Sequence, residues 1–315
     1  MPPPNFAIST NMAPTALPEQ RPFVPSNANT NQYGGTRTPP RETVVQELHE
    51  EPEVPNLFSL SHGAIIVTGG ARGLGITIAA ACVESGADVF CCDILPEPSQ
   101  KEWKALQEKG KRFSASIHYK QLDICNEQDV ESSFQEFAKQ SSRPIVGIAH
   151  CAGVMDEQPA LDYDMKAFNR VMRINVDGTM NVAKSAAHIM KETGQGGSIL
   201  LIASISGSIT NRGITTTAYS SSKAACLQMC RSLAVEWGQY GIRVNTLSPG
   251  YIRTAMTNLL LADKQALLRR WEDDNPLKRI GNPSELKGPA VYLLSNASTF
   301  MNGADLKIDG GHCAW

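Results

Sequence analysis

The sequence predicts an α/β protein with one doubly wound parallel sheet that is flanked by helices on both faces. From about Asn56 onward, short apolar runs alternate with helical segments, as strands do when crossover helices bury both of their faces. The first of these runs ends in a glycine-rich turn that leads into a helix. Hydrophobic residues make up 42% of the 315-residue chain, which is enough to bury a sizeable core.

Residues 1–55 are predicted to form a disordered N-terminal arm, and residues 56–315 to form a single domain. Eleven of the 19 prolines lie in this arm, and polar residues without apolar periodicity fill the gaps between them. The first 41 residues hold three arginines and one acid, Glu19, as a mitochondrial transit peptide would. The frequent prolines interrupt the amphipathic helix that such a peptide needs. The favoured interpretation is therefore a disordered tail without a targeting function.

Seven strands are predicted where short segments, most of them apolar, stand between helical segments. They are Ala64–Thr68, Ala87–Cys92, His118–Leu122, Ile145–Cys151, Ser198–Ala203, Arg243–Leu247 and Asp305–Ile308. The predicted helices are Ile76–Ser85, Gln100–Lys109, Glu127–Gln140, Met165–Glu192, Ala218–Tyr240 and Ser284–Ser295. The stretch Tyr251–Asp274 is amphipathic and carries Met256, Leu259, Leu260 and Leu261. We expect it either to close over a ligand and exclude water or to form an ordinary surface helix.

The glycine-rich turn Thr68–Gly75 is predicted to bind the diphosphate of a dinucleotide, as in a Rossmann domain. Glycines let the chain turn tightly and approach the diphosphate, and N–H groups at the start of the next helix point at that anion. Asp93, about 20 residues further on, can accept both ribose hydroxyls and would repel a 2′-phosphate, which favours NAD. Arg72 within the turn could instead pair with that phosphate, so NADP stays the alternative.

Four polar residues are candidates for catalysis. Tyr219 and Lys223 lie four residues apart at the start of a predicted helix and share one face, although such pairs also occur on exposed surfaces. An ammonium stabilises a neighbouring phenolate, which makes the pair a general acid–base for an alcohol or carbonyl oxygen. Ser204 follows a strand and could hold that oxygen, with Ser206 as a rival. Asn175 lies inside a helical pattern that Asn disfavours, which indicates either a specific role or a packing amide.

Together, these residues resemble the pattern of the short-chain dehydrogenase/reductase family over nearly everything from residue 60 onward. The resemblance implies that Tyr219 exchanges the proton and that Lys223 supports it and binds the nicotinamide ribose. It also implies that Ser204 orients the substrate oxygen and that Asn175 anchors a water-linked proton relay. The complete set of predicted cofactor-binding residues is Thr68, Gly69, Arg72, Gly73, Leu74, Gly75, Asp93, Asp123, Ala152, Gly153, Tyr219, Lys223, Pro249, Gly250, Ile252 and Thr254.

One segment departs from the family pattern. The Asn-Asn-Ala-Gly sequence of the family is replaced here by His150-Cys151-Ala152-Gly153. We expect His150 to be a structural histidine rather than a base. Cys151 is expected to pack where an Asn would form hydrogen bonds. We do not expect a catalytic thiolate, because hydride chemistry needs none.

Three features resemble more narrowly the fungal polyol dehydrogenases and ketose reductases. They are the long segment 204–219, the lead-in Asn56–Leu60 and the ending Asp309–Trp315. The resemblance implies the interconversion of a secondary alcohol and a ketone, such as D-arabinitol and ribulose. Most of those reductases prefer NADP, so Asp93 points to an NAD-linked member. The alternatives are a ketoreductase of a secondary-metabolite pathway and a non-catalytic cofactor-sensing or scaffold protein, which usually lacks the Tyr or the Lys.

Charge, hydropathy and cysteine usage exclude several other classes of protein. The 29 basic residues nearly balance the 31 acidic ones, which argues against a nucleic-acid binder. No apolar run of about 18 residues predicts a membrane span. The eight cysteines contain no Cys-x-x-Cys pair, so we predict no metal site and a reducing, cytoplasmic setting. The family resemblance implies a small-molecule substrate and a homotetramer or homodimer.

Overall fold

The computed structural model describes residues 51–254, 257, 261 and 264–315. Nearly all of the predicted arm lies outside the described residues, as do Met256, Leu259 and Leu260 of the amphipathic stretch. A one-turn helix, α1 (Val54–Leu57), stands at the predicted boundary between arm and domain, and Pro52–Trp315 form one compact unit.

Seven strands form one parallel sheet, which confirms the predicted fold class. They are β1 (Ala64–Thr68), β2 (Asp88–Asp93), β3 (Ile117–Gln121), β4 (Ile145–His150), β5 (Gly197–Ile202), β6 (Ile242–Pro249) and β7 (Asp305–Ile308). Their order across the sheet is β3-β2-β1-β4-β5-β6-β7. The order reverses between β1 and β4, so a crevice opens at the carboxyl ends of these two strands. Ligands of doubly wound sheets bind at such a point.

The principal helices cover both faces of the sheet. They are α2 (Gly73–Glu84), α3 (Gln100–Phe113), α4 (Glu127–Gln140), α5 (Met165–Met172), α6 (Gly178–Thr193), α7 (Thr217–Trp237), α8 (Gln265–Asp273) and α9 (Lys287–Leu294). The long helix predicted over Met165–Glu192 is divided by a π-helical turn, Arg173–Asp177. The last predicted helix begins as a 3-10 turn at Pro283. Within the described parts of the chain, no helix is long and apolar enough to cross a membrane.

The side chains of successive strand residues point to opposite faces of the sheet and pack into two separate hydrophobic cores, one on each face. Ile66 of β1 packs in a cluster with residues of α4, α6 and α7, such as Phe134 and Val182. Its neighbours Ile65 and Val67 pack in the opposite cluster with residues of α2, α3 and α9. Every residue of β1 is buried, because both faces are covered. This double burial explains why β1 is visible in the sequence as a continuous apolar run.

Candidate active site

The glycine-rich turn joins β1 to α2 at the crevice. Gly69 and Gly73 have φ values of +66° and +60°, a region that residues with a Cβ rarely adopt. Gly75 packs against the turn itself, because a Cβ built there would lie 2.0 Å from the Gly69 carbonyl oxygen. A Cβ on Gly69 would in turn lie 2.7 Å from the Ala152 nitrogen, at the end of β4. The turn therefore lies against the start of α2 and the segment after β4, with half-buried Leu74 packed towards the core.

Asp93 ends β2 beside this turn. Its two carboxylate oxygens accept hydrogen bonds from the backbone N–H groups of Ala71 and Leu95, each at 3.2 Å. Arg72, the residue before α2, is exposed. Asp123 follows the neighbouring strand β3, and its Oδ1 accepts from the Cys125 N–H at 2.9 Å. The structure thus places the predicted adenosine-side residues at adjacent strand ends.

Asn175 lies in the π-helical turn between α5 and α6 and is 2% exposed. Its amide nitrogen donates to the Val154 carbonyl oxygen at 2.8 Å and to Ser222 Oγ at 2.9 Å. Its Oδ1 accepts from the Val154 N–H at 2.8 Å. A Cβ on Gly153 would lie 3.2 Å from Asn175 Oδ1 and 3.6 Å from Lys223 Nζ. Asn175 therefore joins the segment after β4 to α7.

Ser204, Tyr219 and Lys223 come together at the carboxyl end of β5. Lys223 is 7% exposed, and its Nζ donates to the Ile202 carbonyl oxygen at 2.7 Å. The same Nζ lies 5.6 Å from the centroid of the half-buried Tyr219 ring. A Cβ on Gly207 would meet the Lys223 backbone carbon at 2.7 Å, so the turn after Ser204 packs directly on α7. This arrangement places an ammonium, a phenol and a hydroxyl at one strand end.

The two candidate serines are hydrogen-bonded to each other. Ser204 Oγ donates to Ser206 Oγ at 3.1 Å and accepts from the Ser206 N–H at 3.1 Å. Both residues are 8% exposed. Ser204 lies two residues closer to the strand, whereas Ser206 belongs to the 3-10 turn Ile205–Gly207.

The remaining predicted cofactor residues follow β6. Pro249 ends the strand, and the Gly250 N–H donates to the Ile308 carbonyl oxygen at 3.0 Å. Ile252 forms an isolated bridge with Gly281. The Thr254 N–H donates to Thr257 Oγ1 at 2.7 Å. These residues therefore lie at the same edge of the sheet as Ser204 and the glycine turn.

His150 lies at the centre of a buried hydrogen-bond chain. Its Nδ1 is 2.7 Å from Thr68 Oγ1, and its Nε2 is 2.9 Å from Thr179 Oγ1. The Thr179 hydroxyl uses its only hydrogen to donate to the Asn175 carbonyl oxygen at 2.6 Å, so its oxygen accepts a hydrogen bond from the Nε2–H group of His150. Nδ1 then accepts from Thr68, whose Oγ1 also receives the Ala152 N–H at 3.4 Å. This chain connects the segment after β4 with the Asn175 backbone.

The histidine is structural, as expected. Burial, together with the nearby Lys223 ammonium, lowers the pKa of His150 to about 3, so its ring is neutral at pH 7. Burial raises the pKa of the Cys151 thiol, which favours the protonated form and argues against a catalytic thiolate. Thr68, one of the predicted cofactor residues, is fully buried with its hydroxyl on His150.

The buried histidine predicts acid-sensitive folding. The unfolded chain takes up a proton on His150 near pH 6.5, whereas the folded chain does so only near pH 3. Between these values the unfolded state binds more protons, so stability falls as the pH drops. Between pH 6.5 and 4.5, the free energy of unfolding should fall by about 2–3 kcal/mol more in the wild type than in His150→Asn.

Chemical denaturation at a series of pH values would measure this difference. The matched control is His188→Asn, because His188 is exposed on α6. The control should keep the acid sensitivity of the wild type. Equal acid sensitivity in His150→Asn and the wild type would contradict the role of the buried neutral ring.

Sequence reasoning missed Thr179, Ser222 and the cluster around Tyr251 that is described below. Thr179 lies four residues after Asn175, so a second polar residue at helical spacing inside an apolar pattern was an available signal. Ser222 lies within the Tyr219–Lys223 segment and gave no signal of its own. Among the described residues, no group of three metal-ligating side chains comes together.

The fold and this site define a dinucleotide-dependent oxidoreductase class. A family model described as enoyl-(acyl carrier protein) reductase matches residues 69–312. The chain belongs to the short-chain dehydrogenase/reductase family.

Three similar proteins illustrate this membership. The chain is 42% identical over 266 residues to the short-chain dehydrogenase/reductase notP′ of Aspergillus versicolor, covering 83% of this chain and 91% of that protein. It is 33% identical over 267 residues to the ribulose-forming D-arabinitol 2-dehydrogenase of Candida tropicalis, covering 82% and 95%. The crystal structure of the NADPH-dependent 3-quinuclidinone reductase of Rhodotorula rubra matches with a TM-score of 0.77 and 32% identity, covering 85% and 97%.

Proposed function

We propose that this protein interconverts a secondary alcohol and a ketone with a nicotinamide dinucleotide, and that its substrate is a polyol/ketose pair such as D-arabinitol and ribulose. The observation that carries this proposal is the convergence of Tyr219, Lys223 and Ser204 at one strand end. The Asn175 amide oxygen and the Lys223 ammonium both lie beside Gly153. The similarity to a D-arabinitol 2-dehydrogenase over 82% of the chain supports the substrate class.

The residues at the crevice fit a dinucleotide. A Cβ on Gly73 would meet nothing within 4 Å, so the turn leaves open space beside the start of α2. N–H groups at a helix start favour an anion there. The Asp93 carboxylate, held beside the turn by the Ala71 N–H, provides an acceptor for ribose hydroxyls. Gly69, Gly73, Gly75 and Asp93 would therefore hold the diphosphate and the adenosine ribose.

The proton chemistry is assigned to the residues of the chain. When bound, the nicotinamide supplies a two-electron hydride acceptor or donor. The Tyr219 phenolate takes the hydroxyl proton of the alcohol, and the phenol returns it to the ketone oxygen in the reverse direction. The Lys223 ammonium stabilises the phenolate, and Ser204 holds the reacting oxygen by a hydrogen bond. The Asn175 side chain fixes the position of the segment after β4, against which Lys223 lies.

NAD is the proposed cofactor, although a similar crystal structure is of an NADPH-dependent reductase. Asp93 presents a carboxylate at the end of β2, and a carboxylate next to a 2′-phosphate is costly. Arg72 is exposed beside it and is the group that would compensate this repulsion. We expect the carboxylate to prevail because its position is fixed by two backbone N–H groups.

Absorbance at 340 nm with purified protein would test this function. NAD and NADP should each be combined with arabinitol, xylitol, mannitol, sorbitol and a bulky cyclic alcohol. We expect NADH formation with a pentitol. Turnover of the bulky alcohol alone would indicate a ketoreductase of another pathway, and NADP-linked turnover would show that Arg72 outweighs Asp93. Dinucleotide binding without any turnover would indicate a cofactor-sensing or scaffold protein.

A further inference from the structure

Four side chains form an aromatic and polar cluster beyond the catalytic residues: Asn211, Tyr251, Trp271 and His312, here called the Tyr251 cluster. The indole of Trp271 stacks on the Tyr251 ring, with centroids 3.9 Å apart and planes at 6°. The His312 ring stands edge-on to Tyr251 at 5.1 Å. Asn211 donates its amide to the Tyr251 hydroxyl at 3.1 Å. The cluster thus draws on four separate parts of the chain.

The Tyr251 cluster lies at the same sheet edge as the candidate catalytic residues. Tyr251 comes two residues after the end of β6, whose neighbour β5 leads into Ser204. Asn211 belongs to the segment that connects Ser204 with Tyr219 on α7. Both residues are therefore carried by the loops that follow two adjacent parallel strands.

A backbone hydrogen bond and an ion pair connect the segments that follow β4, β5 and β6 at this edge of the sheet. The Gln158 N–H of the segment after β4 donates to the Thr215 carbonyl oxygen at 2.9 Å. Lys264, next to α8, forms an ion pair with Glu157 at 2.8 Å. The loops after β4, β5 and β6 therefore meet, and α8 carries Trp271 into their junction.

Three of the cluster's polar atoms are buried without a partner among the described residues. They are Asn211 Oδ1, Trp271 Nε1 and His312 Nδ1. Asn211 is 3% exposed and Trp271 is 2% exposed. Only four side-chain polar atoms in the described parts of the chain share this property, and three of them fall here. Buried polar groups in native proteins are nearly always paired. Three unpaired polar atoms in one cluster therefore indicate a site that binds a polar ligand.

We propose that the Tyr251 cluster is the specificity pocket for the distal hydroxyl groups of a linear polyhydroxy substrate. This inference rests on the proposed function, because it takes the reacting carbon to lie at Tyr219. The indole N–H can donate to a hydroxyl and the Asn211 oxygen can accept from one. The imidazole of His312 offers a third polar contact. A simple apolar alcohol would leave all three atoms unpaired, so the pocket selects against it.

Ligand entry requires α8 to shift, since the three atoms are covered in this structure. The helix is nine residues long and is held by its buried side chains Leu267 and Trp271. Two largely exposed ion pairs, Lys264 with Glu157 and Arg212 with Asp274, join its ends to neighbouring segments. Exposed ion pairs contribute little to stability, so they oppose such a shift only weakly.

Kinetics of two pocket variants on two substrates would test this proposal. Trp271→Phe removes the indole N–H but keeps an aromatic ring, and Asn211→Leu replaces the amide by an apolar group of similar size. We expect each variant to lower kcat/KM for D-arabinitol by about 10–100-fold, mainly through KM, while 2-butanol is oxidised as in the wild type. Trp237→Phe, at the end of α7, is the matched control and should leave both substrates unaffected.

Equal losses on both alcohols would assign the cluster a purely structural role and overturn the proposal. An unchanged kcat/KM for D-arabinitol in both variants would overturn it as well. Binding gives a second reading that does not depend on turnover. With NAD present, D-arabinitol should quench tryptophan emission in the wild type and in Trp237→Phe, and Asn211→Leu should require about 10–100-fold more polyol.

The binding measurement separates the two proposals. If no alcohol is oxidised but the polyol still quenches emission in an Asn211-dependent way, the proposed function fails and the pocket stands. If alcohols are oxidised but the polyol causes no Asn211-dependent quenching, the pocket assignment fails and the function stands.

Discussion

Replacing Tyr219 by phenylalanine is expected to lower kcat by about 10²–10⁴-fold and to leave dinucleotide affinity unchanged. The change removes one hydroxyl group from a half-buried ring and nothing else. The ring itself can stay 5.6 Å from Lys223 Nζ, so the contact that positions it is retained. What is lost is the only phenolic group that the described residues place at the end of β5 to exchange a proton with an alcohol oxygen. Steady-state oxidation of the best pentitol would measure kcat.

The control for this change is Tyr240→Phe. Tyr240 closes the 3-10 turn after α7, and its ring lies 4.3 Å from Lys191 Nζ, so it combines the same residue type with a lysine away from the catalytic residues. This variant should keep both turnover and dinucleotide binding. Full activity in Tyr219→Phe would overturn the assignment of the general acid–base. Loss of dinucleotide binding in that variant would point to a structural role for the hydroxyl.

The sheet could be predicted well because its physical signal is local. Strands β1 and β7 begin and end at the predicted residues, and the other strands differ by one or two residues at their ends. Strands covered on both faces are apolar throughout, so the pattern depends little on which helix covers them. The bounds of α4 also agree with its pattern, which is amphipathic and begins after Asn126, whose side chain accepts from the Asp129 N–H.

The break between α5 and α6 could not be predicted because its cause is not local. The apolar period continues through Arg173–Asp177, but Asn175 is fastened to Val154 across 21 residues of sequence. The same applies to the chain of hydrogen bonds through His150, which spans from Thr68 to Thr179. Helix propensity singled out Asn175 and the departure from the family pattern singled out His150, while their partners depend on how the strands and helices come together.

The Tyr251 cluster could not be predicted from the sequence either, because it is formed by residues of separate segments. Asn211, Trp271 and His312 stand in three segments without a shared sequence pattern, and each side chain alone is unremarkable in its neighbourhood. Only the folded chain reveals that their unpaired atoms gather around one tyrosine ring. Sequence patterns thus locate the candidate catalytic groups, whereas the proposed specificity pocket depends on loop packing.

Replacing Gly75 by alanine is expected to lower dinucleotide affinity by about 10–100-fold or more. The new Cβ would lie 2.0 Å from the Gly69 carbonyl oxygen and 2.6 Å from its carbon, and both are backbone atoms that cannot rotate away. Gly69 is itself packed closely against the segment after β4, since a Cβ added to it would lie 2.7 Å from the Ala152 nitrogen. The whole turn must therefore shift away from the start of α2, where the diphosphate is expected to bind. Enhancement of NADH fluorescence on binding would measure the loss.

Two glycine variants serve as controls and separate the collision from general effects of substitution. Gly73→Ala introduces backbone strain at φ +60° but no contact within 4 Å, so it should cost about 1–2 kcal/mol of stability with a smaller loss of affinity. Gly288→Ala, in α9, also meets nothing within 4 Å and should stabilise the protein by about 0.5–1 kcal/mol with unchanged binding. Affinity in Gly75→Ala equal to that of Gly288→Ala would refute the close packing of the turn. A graded loss, greatest at Gly75, would show that the separation between the turn and α2 determines how well the crevice binds a dinucleotide.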